Sequence, residues 1–491
     1  MDFINHLWLG LGVAGTVTNL SYCLMGALIG TLIGVLPGLG PTATISMLLP
    51  MTYALGPIPS IIMLSGIYYG SQYGGSTTSI LLNTPGEASS VMTCVDGHAM
   101  TKRGEAGVAI FTAGFASFIA GCMATILIAM FSPPLSKLAF LFGPAEYCML
   151  MAFGFVTVGI LTTGDLVRGV GMALMGILIG FVGTDLSTGL TRYTFGVLDL
   201  EDGVGFVTVA IGIFAIGEIA KNISSNIEMQ AYSGKISLFP SWDQFKRIIP
   251  ASIRGGTVGS FFGLIPGGSA AISSYAAYAL DKKVSRHRDE FGKGAIEGVA
   301  APEAANNAAS QTGFIPLLSF GLPENAVMAL MLGALVMNGV QPGPGMLDKQ
   351  PALFWGLVVS MLIGNIMLLI LNVPLVRLWI QIVKIPYHIL YPVIIAICCL
   401  GAYSVNSNAN EVMLIGLFGF FGYVFTVLDL EPAPLMLGLV LGPMFEEYFR
   451  RQLAITSGDF TPFVTRPISL GIVCVMGTVV AYSVWKMFRG K

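Results

Sequence analysis

Along most of this chain the apolar positions neither alternate nor recur on one helical stripe. They fill whole stretches, so each predicted helix is hydrophobic on every side. A run of roughly 18 residues or more without charge is long enough to cross a bilayer. The segment 108–131 is the clearest, with no Asp, Glu, Lys, Arg or His. Further crossings are predicted near 138–161, 166–182, 204–220 and 468–484. Elsewhere the pattern breaks: Pro and Gly divide the apolar stretches 20–55 and 251–281, and Gly, Ser, Thr, Asn and Pro interrupt the longer stretches 58–95 and 294–340.

Composition explains why the runs dominate. Of 491 residues 54% are hydrophobic and 10% charged, against roughly a quarter charged in a soluble protein. The bilayer is the expected solvent. The net charge of -2 sits in loops and points to no nucleic-acid partner. No Lys or Arg precedes Lys102, so the start lacks the basic region of a cleavable signal, and the N-terminus is expected to be retained. The 7 cysteines and 4 histidines show no metal-ligand spacing, so no transition-metal site is expected, and the cysteines read as small core hydrophobes.

The interruptions come in pairs. GTLIGVLPGLGPTATIS at 30–46 is echoed by GTVGSFFGLIPGGSAAIS at 256–273, with Gly34, Pro37 and Gly38 falling on Gly263, Pro266 and Gly267. LLNTPGEA at 81–88 is echoed by LLSFGLPENA at 317–326, and VLDLE occurs at both 197–201 and 427–431.

Basic residues accumulate on the cytoplasmic side. Lys246, Arg247 and Arg254 precede the Pro266 segment, and Lys282, Lys283, Arg286, Arg288 and Lys293 follow it, so it reads as a re-entrant hairpin entering from the cytoplasm. Its twin at Pro37 has uncharged flanks and would enter from outside. An odd number of crossings per copy inverts the second copy and places Lys102, Arg103, Arg168, Lys221, Arg377, Lys384, Lys486, Arg489 and Lys491 in the cytoplasm. Arg450 and Arg451 fall outside, against the rule.

The fold expected is an all-α polytopic membrane protein of two inverted-topology repeats, each with a re-entrant hairpin and a broken crossing helix, with about 11 full crossings plus two hairpins. Residues 1–220 form the first repeat (hairpin 20–55, broken crossing 58–95, then four helices) and 221–250 a cytoplasmic linker. Residues 251–466 form the second repeat (hairpin 251–281, broken crossing 294–340, then four helices), and 467–491 an extra C-terminal helix.

Irregular backbone at membrane depth survives only where protein, water or a ligand satisfies it, and matching breaks in two halves point to a transport site. A helix N-terminus there suits an anion, and free carbonyls at a C-terminus suit a cation. For the solute the candidates are Gly38, Gly40, Thr42, Ser76, Thr77, Asn83, Thr84, Pro85, Gly86, Gly267, Gly268, Ser269, Asn307 and Pro323. For a cation they are Thr44, Ser46, Ser79, Ser273, Glu303, Asn306, Ser310, Gln311 and Thr312.

No Lys or Arg lies in these clusters, so an anion would be held by backbone N–H groups, hydroxyls and a co-bound cation, and the two sites should adjoin. Taken singly, a Gly-x-x-x-Gly match such as Gly30 to Gly34 serves close helix packing. The four clusters together do not read that way, because packing does not call for Pro-Gly beside Asn and Thr in two equivalent places.

Among intramembrane carboxyls, Glu303 lies one helical turn before Asn307 and could assist a cation or proton, and Glu324 sits in the second break. Glu87, Glu146 and Glu218 read as helix-end residues, and Tyr68, Tyr69 and Tyr73 either line a path or anchor a helix end. No nucleophile, base and orienter set stands out, so no catalytic residue and no cofactor beyond a coupling ion, Na⁺ or H⁺, is expected.

The motifs GVLPGLGP at 34–41, YGG at 73–75, SILLNTPGE at 79–87, DGHAM at 96–100, FGPAEY at 142–147, PEAANN at 302–307 and LGLVLGPMFEE at 437–447 resemble the large membrane (permease) subunit of tripartite tricarboxylate transporters. The chain departs from that family at LPEN, 322–325, where Pro-Gly is more usual. The resemblance implies a secondary transporter of the bacterial inner membrane that imports small tri- or dicarboxylates by cation symport. It also implies two partners, a small membrane subunit and a periplasmic solute-binding protein. Alternating access of elevator type is expected, the hairpins and broken crossings moving against the other helices. A passive anion channel and an intramembrane lipid-modifying enzyme are the alternatives.

Overall fold

The computed structural model describes residues 2–36, 39–163, 166–185, 188–224, 239–265, 267–343, 345–382 and 387–489. Pro37, Gly38 and Pro266 lie outside the described residues, as do 225–238 of the expected linker.

Ten helices, numbered in chain order, build the centre: α1 (Val17–Gly34), α2 (Pro41–Tyr53), α3 (Pro57–Leu82), α4 (Val91–Lys102), α5 (Ala106–Ala139), α6 (Trp242–Gly263), α7 (Ala270–Val284), α8 (Glu297–Thr312), α9 (Ala326–Met337) and α10 (Pro351–Asn372). By length and composition 6 helices among the described residues can cross a membrane: α1, α5, Phe206–Ile223, α10, Ala409–Val427 and Pro467–Trp485. The crossings expected at 138–161 and 166–182 fall on the shorter apolar helices Pro144–Val158 and Val167–Gly180. The sequence pattern missed the helix Asp2–Ala14, which packs on α10 with His6 stacked on Trp355.

Glycine fixes the closest packing. In α1, Gly26, Gly30 and Gly34 face the carbonyl oxygens of Met63, Ile67 and Ser71 in α3, and a methyl at Gly34 would sit 2.2 Å from the Ser71 oxygen. In α6, Gly255, Gly259 and Gly263 face the carbonyls of Ala301, Ala305 and Ala309 in α8 in the same way. Small residues one turn apart let backbones touch where lipid supplies no hydrophobic drive between helices. Gly30 and Gly34 therefore pack.

The polar stretch 70–79 does not interrupt its helix: α3 runs unbroken to Leu82, because Ser71 and Thr78 donate to carbonyls one turn back, at 2.8 and 2.9 Å, and leave the ladder intact. The break comes at 83–87. Beyond α8 the helix Phe314–Phe320 continues the same direction of chain to a second break at 321–325.

A short β-hairpin, Gly183–Thr184 with Thr191–Arg192, was also not foreseen. Its Arg192 bonds Glu446 at 2.9 Å, and Arg450 bonds Asp185 at 3.0 Å and Glu446 at 2.6 Å. Arg192 and Arg450 thus share the same two carboxylates.

Candidate functional site

Both breaks follow one plan. Asn83 ends α3 in the left-handed conformation at φ 55°, and Gly321 ends Phe314–Phe320 there at φ 72°. Asn is among the few side chains that tolerate this region, and Gly enters it without steric cost. A proline follows in each, Pro85 and Pro323, and then an N-cap that restarts a helix. Glu87 caps the turn Ala88–Ser90 that leads into α4, through a capping box with Ser90. Asn325 caps α9 by accepting from the Met328 N–H at 2.9 Å. The cap residues thereby satisfy the backbone donors that a break exposes.

The two breaks meet across α3 and α8. Gln72 donates its amide N–H to the Ser310 hydroxyl, and these residues are 238 positions apart. The same separation takes Tyr68 to Asn306, Gly75 to Gly313, Asn83 to Gly321 and Glu87 to Asn325. The contacts follow it too. Asn306 of α8 donates to Glu87 at 2.8 Å, and Asn325 donates to the Tyr68 hydroxyl of α3 at 3.5 Å. Gly86 lies on Gly75, and the Glu324 carboxyl lies on Gly313.

The partners fix each amide's orientation. A carboxylate only accepts, so the Asn306 NH₂ faces Glu87 and its Oδ1 faces away. Ser310 donates to the Asn306 backbone oxygen at 2.9 Å, so it accepts from the Gln72 NH₂. Gln72 Oε1, Asn306 Oδ1 and Glu324 Oε2 are left buried without a protein partner. Such groups cost about 2–7 kcal/mol each when nothing replaces water.

Glu303, 1% exposed, forms a second cluster. Its carboxyl accepts from Ser76 at 2.6 Å and from Thr93 of α4, which ties three helices together. Asn307 donates to Ser117 of α5 at 2.7 Å and to the Glu303 backbone oxygen at 3.2 Å. Tyr73, Ser76, Thr77 and Ser117 line a small cavity beside it. Among the described residues Glu87, Glu303 and Glu324 have no Lys or Arg partner, so hydroxyls and amides alone hold these carboxyls.

Other sequence candidates are placed less directly. Gly40 is the N-cap of α2 and has no side chain to offer, and Thr42 is half-buried in that helix's first turn. Thr44 and Ser46 donate to carbonyls of their own helix at 3.0 and 2.9 Å, and Thr84 to the Leu82 oxygen at 3.3 Å. Gly267 donates its N–H to the Glu324 backbone oxygen at 2.9 Å, joining the segment before α7 to the second break. Gly268 follows it, and Ser269 caps α7. Ser273 reaches the Ala305 oxygen at 3.2 Å, and Thr312 the Ser260 oxygen at 3.3 Å. Ser79 donates to Ser90 at 2.9 Å. Gln311 donates to Asn365 of α10 and accepts from Thr125 of α5, both at 2.9 Å.

Sequence reasoning passed over several participants. Glu87 was read as a helix-end residue; it is one, and it also holds Asn306. Asp96, fully buried, accepts from the N–H groups of Gly294 and Ala295 at 2.7 and 2.9 Å and from Tyr278 at 2.9 Å. The signal was an Asp next to Gly and His in an otherwise apolar stretch.

Residues 20–437 match the tripartite tricarboxylate transporter TctA family. A relative from Agrobacterium vitis, described as an uncharacterized 52.8 kDa protein in the TAR-I ttuC' 3' region, is 47% identical over 492 residues and covers 100% of this chain and 98% of its own. A second from the same organism, an uncharacterized protein in the TAR-II ttuC' 3' region, is 51% identical over 223 residues, 44% of this chain and 92% of its own. No solved structure matches. The extent of the family match, together with a full-length relative, places the chain in the tripartite tricarboxylate transporter TctA family, that of the large membrane subunit.

Proposed function

We propose that this chain is the large subunit of an importer of small tri- or dicarboxylates in a bacterial inner membrane, driven by a cation gradient. It works with a small membrane subunit and a periplasmic solute-binding protein that delivers the solute. The observation that carries the reading is the meeting of two Pro-containing breaks, from equivalent places in the chain, in one hydrogen-bonded group between α3 and α8.

The two halves are inverted repeats: equivalent residues touch, and each copy's cap bonds the other copy's helix. The hairpin arm α2 packs on α9 of the other copy, and α7 packs on the Ala88–Ser90 turn and α4. The basic residues flanking α7 support this orientation, and Arg450 and Arg451 stand against it. The solute lies against the neutral backbone of the first break, Asn83 to Gly86, with Ser76, Thr77, Asn307 and the N-terminus of α2 at Gly40 and Thr42. α2 has no side-chain cap of its own. An anion at a helix N-terminus gains from oriented N–H groups without a Lys or Arg.

Movement is of elevator type, the hairpins and broken crossings shifting against α5, α10 and the later helices. The test is genetic and direct. A strain lacking this gene should lose growth and labelled uptake on a tri- or dicarboxylate, and regain both only when all three components are expressed. Uptake that persists without the solute-binding protein would refute the tripartite reading.

A further inference from the structure

Each break carries one carboxyl, Glu87 in the first and Glu324 in the second, but the two are held differently: Glu87 accepts from Ser89 and Asn306. Where the first has Gly86 against Gly75, the second has the Glu324 carboxyl against Gly313, fully buried. Glu324 Oε1 accepts from Asn325 at 2.9 Å, and Oε2 has no protein partner. Gln72 Oε1 and Asn306 Oδ1, whose orientations are fixed by the acceptors their NH₂ groups face, also have none.

The side chains that carry these oxygens gather around Ser310. Gln72 bonds it, Asn306 is one turn before it, and Gly313, which carries the Glu324 carboxyl, is one turn after it on the same face of α8. The Tyr68 hydroxyl stands beside both Ser310 and Asn325 and closes the group. The Glu303 carboxyl differs: both of its oxygens accept from hydroxyls.

Three buried acceptors left over at one place, one of them a carboxylate oxygen, suit a cation. A proton on Glu324 would satisfy at most one of the amide oxygens, whereas an alkali cation takes several oxygen ligands at once. We infer that Gln72 Oε1, Asn306 Oδ1 and Glu324 Oε2 form a sodium site at the second break, and that Glu303 is not a ligand of it. This rests on the proposed function and gives its coupling ion an address: cation at the second break, solute at the first.

The experiment uses the purified full chain with sodium alone, without solute or partners. Thermal unfolding is followed against NaCl with choline chloride holding ionic strength constant, and ²²Na binding is counted in parallel. The wild type should show saturable, sodium-specific stabilisation. Glu324→Gln should raise half-saturation at least tenfold and Gln72→Ala at least threefold, while Glu146→Gln, on the outer face, leaves it unchanged. Gln72→Ala carries the reading if Glu324→Gln does not fold. Absence of sodium-specific binding in the wild type overturns the site, as does wild-type half-saturation in both variants or a shift confined to Glu303→Gln. Carboxylate uptake driven by another ion would sink this site alone and leave the proposed function standing.

Discussion

Gln72 and Ser310 stand 238 positions apart and meet side chain to side chain, the amide of one donating to the hydroxyl of the other. Equivalent residues of two copies can touch only near the axis that exchanges the copies. In the arrangement proposed, this contact therefore marks the centre of the transport site, with the Glu87–Asn306 and Asn325–Tyr68 bonds on either side of it.

The glycine seams should be intolerant of bulk. Gly30→Leu and Gly259→Leu drive a side chain into the backbone of Ile67 and Ala305, and overpacking costs about 1–3 kcal/mol even where neighbours can shift. Both variants should lose folded yield in size-exclusion profiles. Gly12→Leu, with nothing within 4 Å of the added carbon, should behave as wild type.

Asp96 clamps α4 to the start of α8. Asp96→Ala leaves two N–H groups and the Tyr278 hydroxyl unpaired, at about 1–3 kcal/mol each. The unfolding temperature should fall clearly, and Tyr278→Phe, which removes one of the three bonds, should cost much less.

Gln311 and Asn365 join α8 to α10 across the boundary between the proposed moving unit and its scaffold. With Gln311→Cys and Asn365→Cys together, a short bifunctional thiol reagent should stop labelled uptake, while each single variant treated alike keeps it. Unimpaired uptake in the crosslinked protein rules out sliding at this boundary.

Orientation can be read from the two faces. Arg450→Cys should react with an impermeant thiol reagent added to intact, outer-membrane-permeabilised cells, and Lys282→Cys only after the inner membrane is opened. The reverse pattern contradicts the topology.

Much of this was legible in the sequence because its cause is local. The charge-free run 108–131 shows as α5, and the duplicated Pro and Gly motifs at 81–88 and 317–326 show as paired breaks. What stayed hidden depends on tertiary neighbours. Ser, Thr and Gly at 70–79 suggested an interruption, yet hydroxyls bonding their own carbonyls and glycines packing on α1 keep α3 helical. Glu303 was read for its spacing to Asn307, but its carboxyl turns to Ser76 and Thr93, far away in sequence. Gln72 carried no signal beyond its polarity, because its role comes from a partner 238 residues on.

The claim on which the rest depends is that the paired breaks form one gradient-driven solute site. Its most direct measurement is the steady-state ratio of labelled carboxylate inside to outside vesicles that contain this chain and the small subunit, supplied with the binding protein and an inward sodium gradient. The account predicts a ratio well above one that collapses when the gradient is dissipated. A ratio that stops at one whatever the gradient would contradict it and make the protein a passive pathway.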